Sequence, residues 1–347
     1  MSDPHTEARV RAAVSRATGR DASRAPVRRL AGHASMRGYW RVGTPPESQV
    51  VMVLPAERKA EEVTKGAAPA GDPFVDVQRY LAGIGVRVPA IRAFLEPEGL
   101  MVLEDLGDEM LETRLLAGDA PGPLYERAID QLARLRAHAE ARPGGCVAFT
   151  RSFDADLYRW ELEHFVEWGL EAWKGARLSP AERAVCDREF DRIARALEAE
   201  PKGVTHRDYQ SRNLMVLPSG EQAVIDFQDA LLGPRQYDLV ALLRDSYVEL
   251  EPALVEGMLR RYLDKLHAEG GPRLAYAPFR ELFDLLTVQR KLKDAGRFVF
   301  IDRVKKNAGF LPSIPASLRY VRDAFARRPD LARLREVLAR HVPELRG

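Results

Sequence analysis

THRDYQSRNLMVLPSGEQAVIDFQD, residues 205–229, contains His206-Arg207-Asp208, an Asn five residues after that Asp, and Asp226 after a short apolar run. Transfer of a phosphoryl group needs one carboxylate near the acceptor hydroxyl and Mg²⁺ held on the phosphates. Mg²⁺ takes hard oxygen ligands and commonly has only one or two protein carboxylates. The spacing therefore predicts Asp208 as the catalytic base and Asn213 with Asp226 as the Mg²⁺ ligands.

A β-hairpin is predicted to bring the two metal ligands together. Asn213–Val216 and Ala223–Asp226 are short β-type runs, and the turn residues Pro218-Ser219-Gly220 lie between them. The alternative is a chance arrangement of surface polar residues. The complete set of Asp, Asn and second Asp on a hairpin disfavours that interpretation.

The segment after Asp226 indicates the size of the acceptor. Protein kinases place a long peptide-binding segment between this Asp and a later Ala-Pro-Glu. Here only eleven residues separate Asp226 from Asp238, and no Ala-Pro-Glu follows. The sequence therefore favours a small-molecule acceptor.

Composition limits the class of protein. The chain has 347 residues, of which 46% are hydrophobic, and a formal net charge of +2 with no basic tract. These values suit a two-lobed globular protein and argue against nucleic acid as the main partner. No apolar run approaches about 18 residues, and Cys146 and Cys186 have no metal or redox spacing. We expect a cytoplasmic protein without a membrane or obligate protein partner.

Two regions of different secondary structure are predicted, and they meet after Glu104. In the first, apolar spacing predicts an N-terminal helix over Glu7–Thr18, and Asp72-Pro73 is typical of a helix start. Alternating runs predict five strands: Val27–Leu30, Tyr39–Val42, Gln49–Leu54, Ile91–Leu95 and Leu100–Glu104.

Beyond Glu104 the patterns are mainly helical. Predicted helices cover Leu124–Ala141, Asp156–Trp173, Pro180–Ala199, Tyr237–Tyr247, Ala253–Ala268 and Pro278–Ala295. We expect an α+β fold with a nucleotide-binding lobe over residues 1–104 and a helical catalytic and substrate lobe over residues 105–347.

The chain resembles the aminoglycoside phosphotransferase superfamily, the small-molecule relatives of protein kinases. The resemblance lies in MVLEDLGD (101–108), HRDYQSRN (206–213) and VIDFQDALLGPRQYDLVALL (224–243). AGHASMRGYWRV (31–42), LYRWELEHFVEWGL (157–170) and VQRKLKDAGRF (288–298) are similar to the anomeric N-acetylmuramate and N-acetylglucosamine kinases of peptidoglycan recycling.

This resemblance implies a protein-kinase-like bilobal fold that uses ATP and Mg²⁺ to phosphorylate the anomeric hydroxyl of an amino sugar. It implies that Asp208 is the base and that Asn213 and Asp226 bind the metal. His206 and Asp238 would support the catalytic loop. Residues 101–106, including Leu103, Glu104 and Leu106, would contact the adenine.

One departure concerns phosphate binding. Kinases of this type usually carry a Lys on the third strand, but Gln49–Leu54 contains none. Our hypothesis is that Arg37 or Arg41 supplies this charge, since a guanidinium matches phosphate oxygens. The loop of small residues around Ser35 would let backbone N–H groups approach the triphosphate. Plain surface arginines are the alternative.

Candidate substrate-binding residues lie beside the predicted chemistry. They are Tyr209 and Arg212 next to the base, Asp229 just after the metal ligand, and Arg244 on the following helix. Gln289 and Arg290 are further candidates.

Another small-molecule kinase, acting on an aminoglycoside, choline or homoserine, would share the catalytic residues. A nucleotide-binding pseudokinase stays possible because the third-strand Lys is missing.

Overall fold

An antiparallel sheet of five strands forms the first part of the chain. The computed structural model describes residues 3–30, 37–55 and 71–346. The strands are β1 (Val27–Leu30), β2 (Gly38–Val42), β3 (Gln49–Val53), β4 (Ile91–Leu95) and β5 (Leu100–Glu104). Their spatial order is β1-β2-β3-β5-β4. All five predicted strands are confirmed to within one residue.

The N-terminal helix α1 (Pro4–Thr18) covers one face of this sheet. Asp3 caps it by accepting hydrogen bonds from the N–H groups of His5 and Thr6. Val10 and Ala13 are fully buried against the sheet in a separate small core. The predicted amphipathic helix is confirmed.

The opposite face of the sheet is shared with the rest of the molecule. Helix α2 (Pro73–Gly83) begins with the Asp72 cap and Pro73, as predicted. Its residue Phe74 packs in one continuous core with Met52 and Leu103 of the sheet and with side chains of the helical part. This shared core fixes where the sheet lies over the catalytic segment.

Nine helices follow in the described chain after β5: α3 (Leu111–Leu116), α4 (Pro121–Ala141), α5 (Ala155–His164), α6 (Pro180–Glu198), α7 (Gln236–Leu243), α8 (Pro252–Ala268), α9 (Tyr276–Lys305), α10 (Ile314–Arg327) and α11 (Ala332–His341). A capping box of Ser179 and Glu182 starts α6. Three details differ from the prediction. Helix α5 continues as a π-helix over Phe165–Trp173, α7 ends at Leu243, and α9 extends to Lys305.

Two short strand pairs carry the catalytic segment. Strands β7 (Leu214–Val216) and β8 (Gln222–Val224) form the predicted antiparallel hairpin. Strand β6 (Lys202–Thr205) pairs with β9 (Leu231–Pro234) and was not predicted from the sequence. Because β6 is four residues long and contains Gly203, it has little local strand signal.

Both cysteines are buried free thiols. Across the described ranges, no helix combines the length and apolarity needed to cross a bilayer.

Candidate active site

Strand β6 leads directly into a strained loop that presents Asp208. Arg207 has φ 80°, a left-handed conformation that is unusual for a residue with a side chain. The Asp238 carboxylate accepts hydrogen bonds from the N–H of His206 at 2.7 Å and of Arg207 at 2.9 Å. Asp238 therefore holds the loop in this conformation, in keeping with its predicted anchoring role.

The His206 ring joins this loop to the strand that precedes Asp226. Its Nδ1 accepts the N–H of Asp208 at 3.2 Å, and its Nε2 lies 2.9 Å from the carbonyl oxygen of Ile225. An Nδ1 that accepts leaves the ring hydrogen on Nε2, which then donates to that carbonyl. These contacts fit the supporting role predicted for His206.

The Asp208 side chain is 40% exposed and points away from the core. Arg290 on α9 donates a 3.0 Å hydrogen bond to its Oδ1. Burial acts to raise the pKa of Asp208, but Arg290 and the nearby Lys293 and Arg207 outweigh it. The pKa lies below its ordinary value, so Asp208 is ionised at neutral pH.

Asn213 and Asp226 lie beside the loop as the hairpin predicts. The Asn213 Nδ2 donates to the Asp208 carbonyl at 2.8 Å, and the Asn213 carbonyl accepts the N–H of Ile225 at 3.0 Å. Since its nitrogen donates within the loop, the amide oxygen of Asn213 is the atom left for the predicted metal. Asp226 has φ 63°, a second strained position next to the chemistry.

The environment of Asp226 suits a cation. The surrounding protein raises the pKa of this carboxyl, and the Asp208 carboxylate raises it further. A hydrogen bond from Gln228 at 3.0 Å and the charge of Arg37 act in the opposite direction. A carboxylate and an amide oxygen beside a second carboxylate are the hard ligands that Mg²⁺ prefers. In the described parts of the chain, no group of three or more His, Cys, Asp and Glu side chains could hold a metal.

A second carboxylate anchors the far end of the catalytic loop. The buried Asp245 accepts the N–H of Ser211 at 2.8 Å and its hydroxyl at 2.6 Å. Asp245 is free to do so because α7 ends at Leu243, four residues earlier than the predicted Tyr247. The loop is thus fixed at both ends by buried Asp side chains.

This geometry agrees with the family comparison. Residues 26–282 match the model of the family described as "Phosphotransferase enzyme family". The chain belongs to this family. The phosphotransferase is 35% identical to the N-acetylmuramate/N-acetylglucosamine kinase of Pseudomonas aeruginosa over 88% of this chain and 86% of that protein. The kinase of the same name from Pseudomonas putida is 33% identical over 88% of this chain and 85% of that protein.

Solved structures confirm the fold class. The choline kinase LicA from Streptococcus pneumoniae aligns with a TM-score of 0.59 at 14% identity, and the alignment covers 93% of this phosphotransferase and 99% of that chain. LicA in complex with AMP aligns with a TM-score of 0.57 at 13% identity, over 93% of this chain and all of that one. They confirm the predicted protein-kinase-like bilobal fold, whereas the predicted phosphotransferase class is confirmed by the family match over residues 26–282.

Arg37 is the better of the two predicted phosphate ligands. It lies close to both the Asp226 carboxylate and the Tyr39 hydroxyl, and its charge acts on the pKa of each. It therefore faces the metal side of the site although β3 has no Lys. Ser35, predicted to contact the nucleotide, lies outside the described residues.

Arg41 was wrongly predicted as a phosphate ligand. Its guanidinium is 6% exposed and donates to both oxygens of Asp105, at 2.5 and 2.7 Å, and to Asp108 at 2.7 Å. Ser48 donates to the same Asp105 at 2.6 Å. This buried ion pair ties β2 to the segment after β5 and commits the Arg41 guanidinium to two carboxylates rather than to a phosphate.

The predicted adenine-contacting segment lies between the sheet and the hairpin. Leu103 is buried in β5, and Leu106 packs on Met215 of β7 in a small apolar cluster. The Glu104 carboxylate pairs with Arg87 at 2.5 Å and accepts the N–H of Ala90. We therefore do not expect the Glu104 side chain to contact a nucleotide. The groups that remain for the predicted adenine contacts are the backbone of this segment and the side chains of Leu103 and Leu106.

Two predicted substrate residues are corrected. Tyr209 is fully buried, and its hydroxyl donates to the Ala128 carbonyl at 2.9 Å. Arg244 is buried between the rings of Phe283 and Tyr320, with its guanidinium carbon 5.5 and 5.3 Å from their centroids. Neither side chain reaches the surface near Asp208.

The other two substrate candidates stay near the chemistry. Arg212 pairs with Glu112 at 2.8 Å and lies 3.5 Å above the ring of Tyr247. Asp229 is exposed and accepts a hydrogen bond from Gln228 at 3.2 Å. Sequence reasoning missed Tyr247, because it was placed inside a helix.

Proposed function

We propose that this phosphotransferase transfers the γ-phosphoryl group of ATP to the anomeric hydroxyl of N-acetylmuramate or N-acetylglucosamine. The observation that carries the proposal is the ionised, solvent-facing Asp208 beside Asn213 and Asp226. The names of the two Pseudomonas relatives supply the acceptor. We further propose that the reaction serves the cytoplasmic recycling of cell-wall amino sugars.

Asp208 orients the acceptor hydroxyl and takes its proton. As the acceptor oxygen forms its bond to the γ-phosphorus, the bond from that phosphorus to the β,γ-bridging oxygen breaks, and ADP leaves with the electron pair. The low pKa of Asp208 keeps the carboxylate ready to accept. A hemiacetal hydroxyl is more acidic than an ordinary alcohol, which suits a weakly basic carboxylate.

The cofactor assignment rests on the ligand set. Asn213, through its amide oxygen, and Asp226 would hold Mg²⁺, which when bound neutralises the phosphates. Arg37, beside Asp226, would bind phosphate oxygens in place of the missing Lys. We propose that the adenine lies between the inner face of the sheet and the cluster of Leu106 and Met215, and that the lobes divide between residues 104 and 105.

An aromatic wall beside the catalytic loop suits a sugar. The rings of Phe298 and Phe310 stack with centroids 5.8 Å apart, and the Tyr247 ring lies 6.2 Å from Phe298. Sites for small ligands are mostly apolar with a few placed polar groups. We propose that Arg212 and Asp229 supply such groups to the acceptor.

The test includes one pair of acceptors, N-acetylglucosamine and its methyl glycoside, that differ only at the anomeric carbon. ADP release with Mg²⁺-ATP is measured for N-acetylmuramate, N-acetylglucosamine and its methyl glycoside, with choline and kanamycin as further acceptors. We expect turnover with the free sugars, none with the methyl glycoside, and a C1 phosphate by NMR.

Asp208→Asn is the control for the same site. It should bind ATP normally and lose roughly 10²- to 10⁴-fold in turnover. Phosphorylation of the methyl glycoside at the same rate would show that the reaction uses another hydroxyl. Activity with choline or kanamycin alone would overturn the acceptor class.

A further inference from the structure

Arg290 is a fully buried arginine near the middle of α9. Only 2% of its side chain is exposed. Burying a charge is costly unless it is paired and hydrogen-bonded. Its Nη1 donates to the Arg207 carbonyl at 2.8 Å, and its Nη2 donates to Asp208 Oδ1 at 3.0 Å. Both of these partners belong to the catalytic loop.

The remaining contacts of Arg290 hold the guanidinium in place. It lies over the ring of Tyr237, with its central carbon 4.7 Å from the centroid. Its Nε lies 3.9 Å from Asp294 Oδ2, one helical turn further along α9. The Tyr237 ring and the Asp294 carboxylate thus border the guanidinium, while its hydrogen bonds within the described residues go to the catalytic loop and none is made by Nε.

The contacts make the two carboxylate oxygens of Asp208 different from each other. Asp238 and His206 fix the backbone of the loop, whereas its exposed carboxylate is held through Arg290. Oδ1 is occupied by Nη2, and no hydrogen bond to Oδ2 occurs within the described ranges. Oδ2 therefore keeps all of its lone pairs for an acceptor hydroxyl, whereas Oδ1 already shares one with Arg290.

We propose that Arg290 is a positioning residue for phosphoryl transfer, which acts by clamping Asp208 Oδ1 and the Arg207 carbonyl so that Oδ2 receives the acceptor proton. This inference rests on the proposed role of Asp208. Arginine suits the task because its rigid fork donates two parallel hydrogen bonds and always carries its charge. The residue acts through Asp208 and not through the sugar or ATP.

The expected effect falls on turnover. Arg290→Gln loses a charge-assisted hydrogen bond to Asp208 and should lower kcat roughly 10- to 100-fold. The KM values for ATP and for the sugar should change less than about threefold, because binding groups are untouched. Arg290→Lys keeps the charge but not the fork and should recover part of the lost kcat.

A double-mutant cycle separates positioning from general damage. If Arg290 acts through Asp208, Arg290→Gln should cost little further kcat in the Asp208→Asn background. An equal loss in both backgrounds, or a raised KM with kcat retained, would overturn the proposal. Arg136→Gln is the matched control, since Arg136 is equally buried and also donates to a carbonyl and a carboxylate, those of Gly233 and Glu140.

Two additions to the experiment keep its result interpretable if a variant does not fold or if the sugars are not acceptors. If Arg290→Gln does not fold by circular dichroism, the same cycle is run with Arg290→Lys. The cycle is also run on acceptor-free ATP hydrolysis, in which water replaces the sugar. Failure of both sugars as acceptors would overturn the proposed function, while the cycle on hydrolysis still supports or overturns the role of Arg290.

Discussion

Arg37 and Arg41 lie four residues apart, yet their surroundings give them different tasks. Arg37 acts electrostatically on Asp226 at the metal side of the site. Arg41 is enclosed by Asp105 and Asp108. The sequence alone did not distinguish the two residues, because Arg37 precedes the same strand in which Arg41 lies and both carry the missing charge. The partners that separate them lie more than sixty positions away in the chain.

At the residue scale we predict that Arg37→Gln weakens the binding of ATP and leaves folding intact. Loss of a charge-assisted hydrogen bond to phosphate should raise the dissociation constant for Mg²⁺-ATP roughly 10-fold or more. Isothermal titration calorimetry measures this value. Unchanged affinity would remove Arg37 from the phosphate site.

Arg41→Gln should show the reverse behaviour. Removing one partner of a buried ion pair leaves Asp105 uncompensated and costs about 3–5 kcal/mol of stability. Urea unfolding of both variants gives the comparison. A large loss of ATP affinity without loss of stability would contradict the structural role of Arg41.

The candidate site could be predicted where the chemistry of phosphoryl transfer fixes the spacing of residues along the sequence. Asp208, Asn213 and Asp226 were predicted to lie together because one metal and one acceptor would require them at these intervals, and the structure brings them together. Tyr209 and Arg244 were misplaced because closeness in sequence does not give the direction of a side chain. Tyr209 directly follows the base, yet its ring points into the core toward Ala128.

At the scale of elements, helix α5 shows what a helical pattern cannot reveal. The sequence predicts one helix over Asp156–Trp173, and the structure changes to a π-helix after His164. The spacing of apolar residues in the sequence does not distinguish an α-helix from a π-helix, whose turns are about one residue longer. The change occurs where α9 passes closely, and a Cβ on Gly296 would lie 2.9 Å from the His164 carbonyl oxygen.

His164, at the junction of α5 with the π-helix, predicts a pH-dependent loss of stability. Burial, followed by the charges of Arg297 and Lys293, lowers the pKa of His164 from 6.5 to about 4. Between these values the unfolded chain binds a proton that the folded protein excludes, so stability falls as pH decreases from 6.5 to about 4. The loss attributable to His164 should reach about 3 kcal/mol.

His164→Phe should remove this part of the pH dependence, because a phenyl ring fits among the neighbouring aromatic rings of Trp160 and Phe300. Urea unfolding at pH 7, 6, 5 and 4.5 gives the free energies for both proteins. Parallel curves for the variant and the wild type would exclude His164 as the titrating group.

At the scale of the whole molecule, the sheet and the helical part share one core. The ring of Phe74 on α2 lies 4.7 Å from that of Phe227, the residue after the predicted metal ligand Asp226. The position of the sheet is thus tied to the catalytic hairpin. The order of strands and helices was predictable from periodicity, but this contact joins residues more than 150 positions apart and has no local signal.

We therefore predict that the two parts unfold together in one transition. Phe74→Ala should destabilise the whole protein by about 3–5 kcal/mol, since a large buried ring is removed. Calorimetry with circular dichroism as a second probe tests this. Two separate transitions in the wild-type protein would show that the lobes fold independently.

The short segment from Asp226 to Asp238 also bears on how the enzyme is controlled. Within it, β9 pairs directly with β6, and α7 starts at Gln236 to present Asp238 to the loop. The anchors of the catalytic loop are therefore built during folding itself. Between Asp226 and Asp238 there is no long activation segment that a modifying enzyme could switch between an inactive and an active conformation. We expect flux to follow the supply of ATP and acceptor and the amount of protein made.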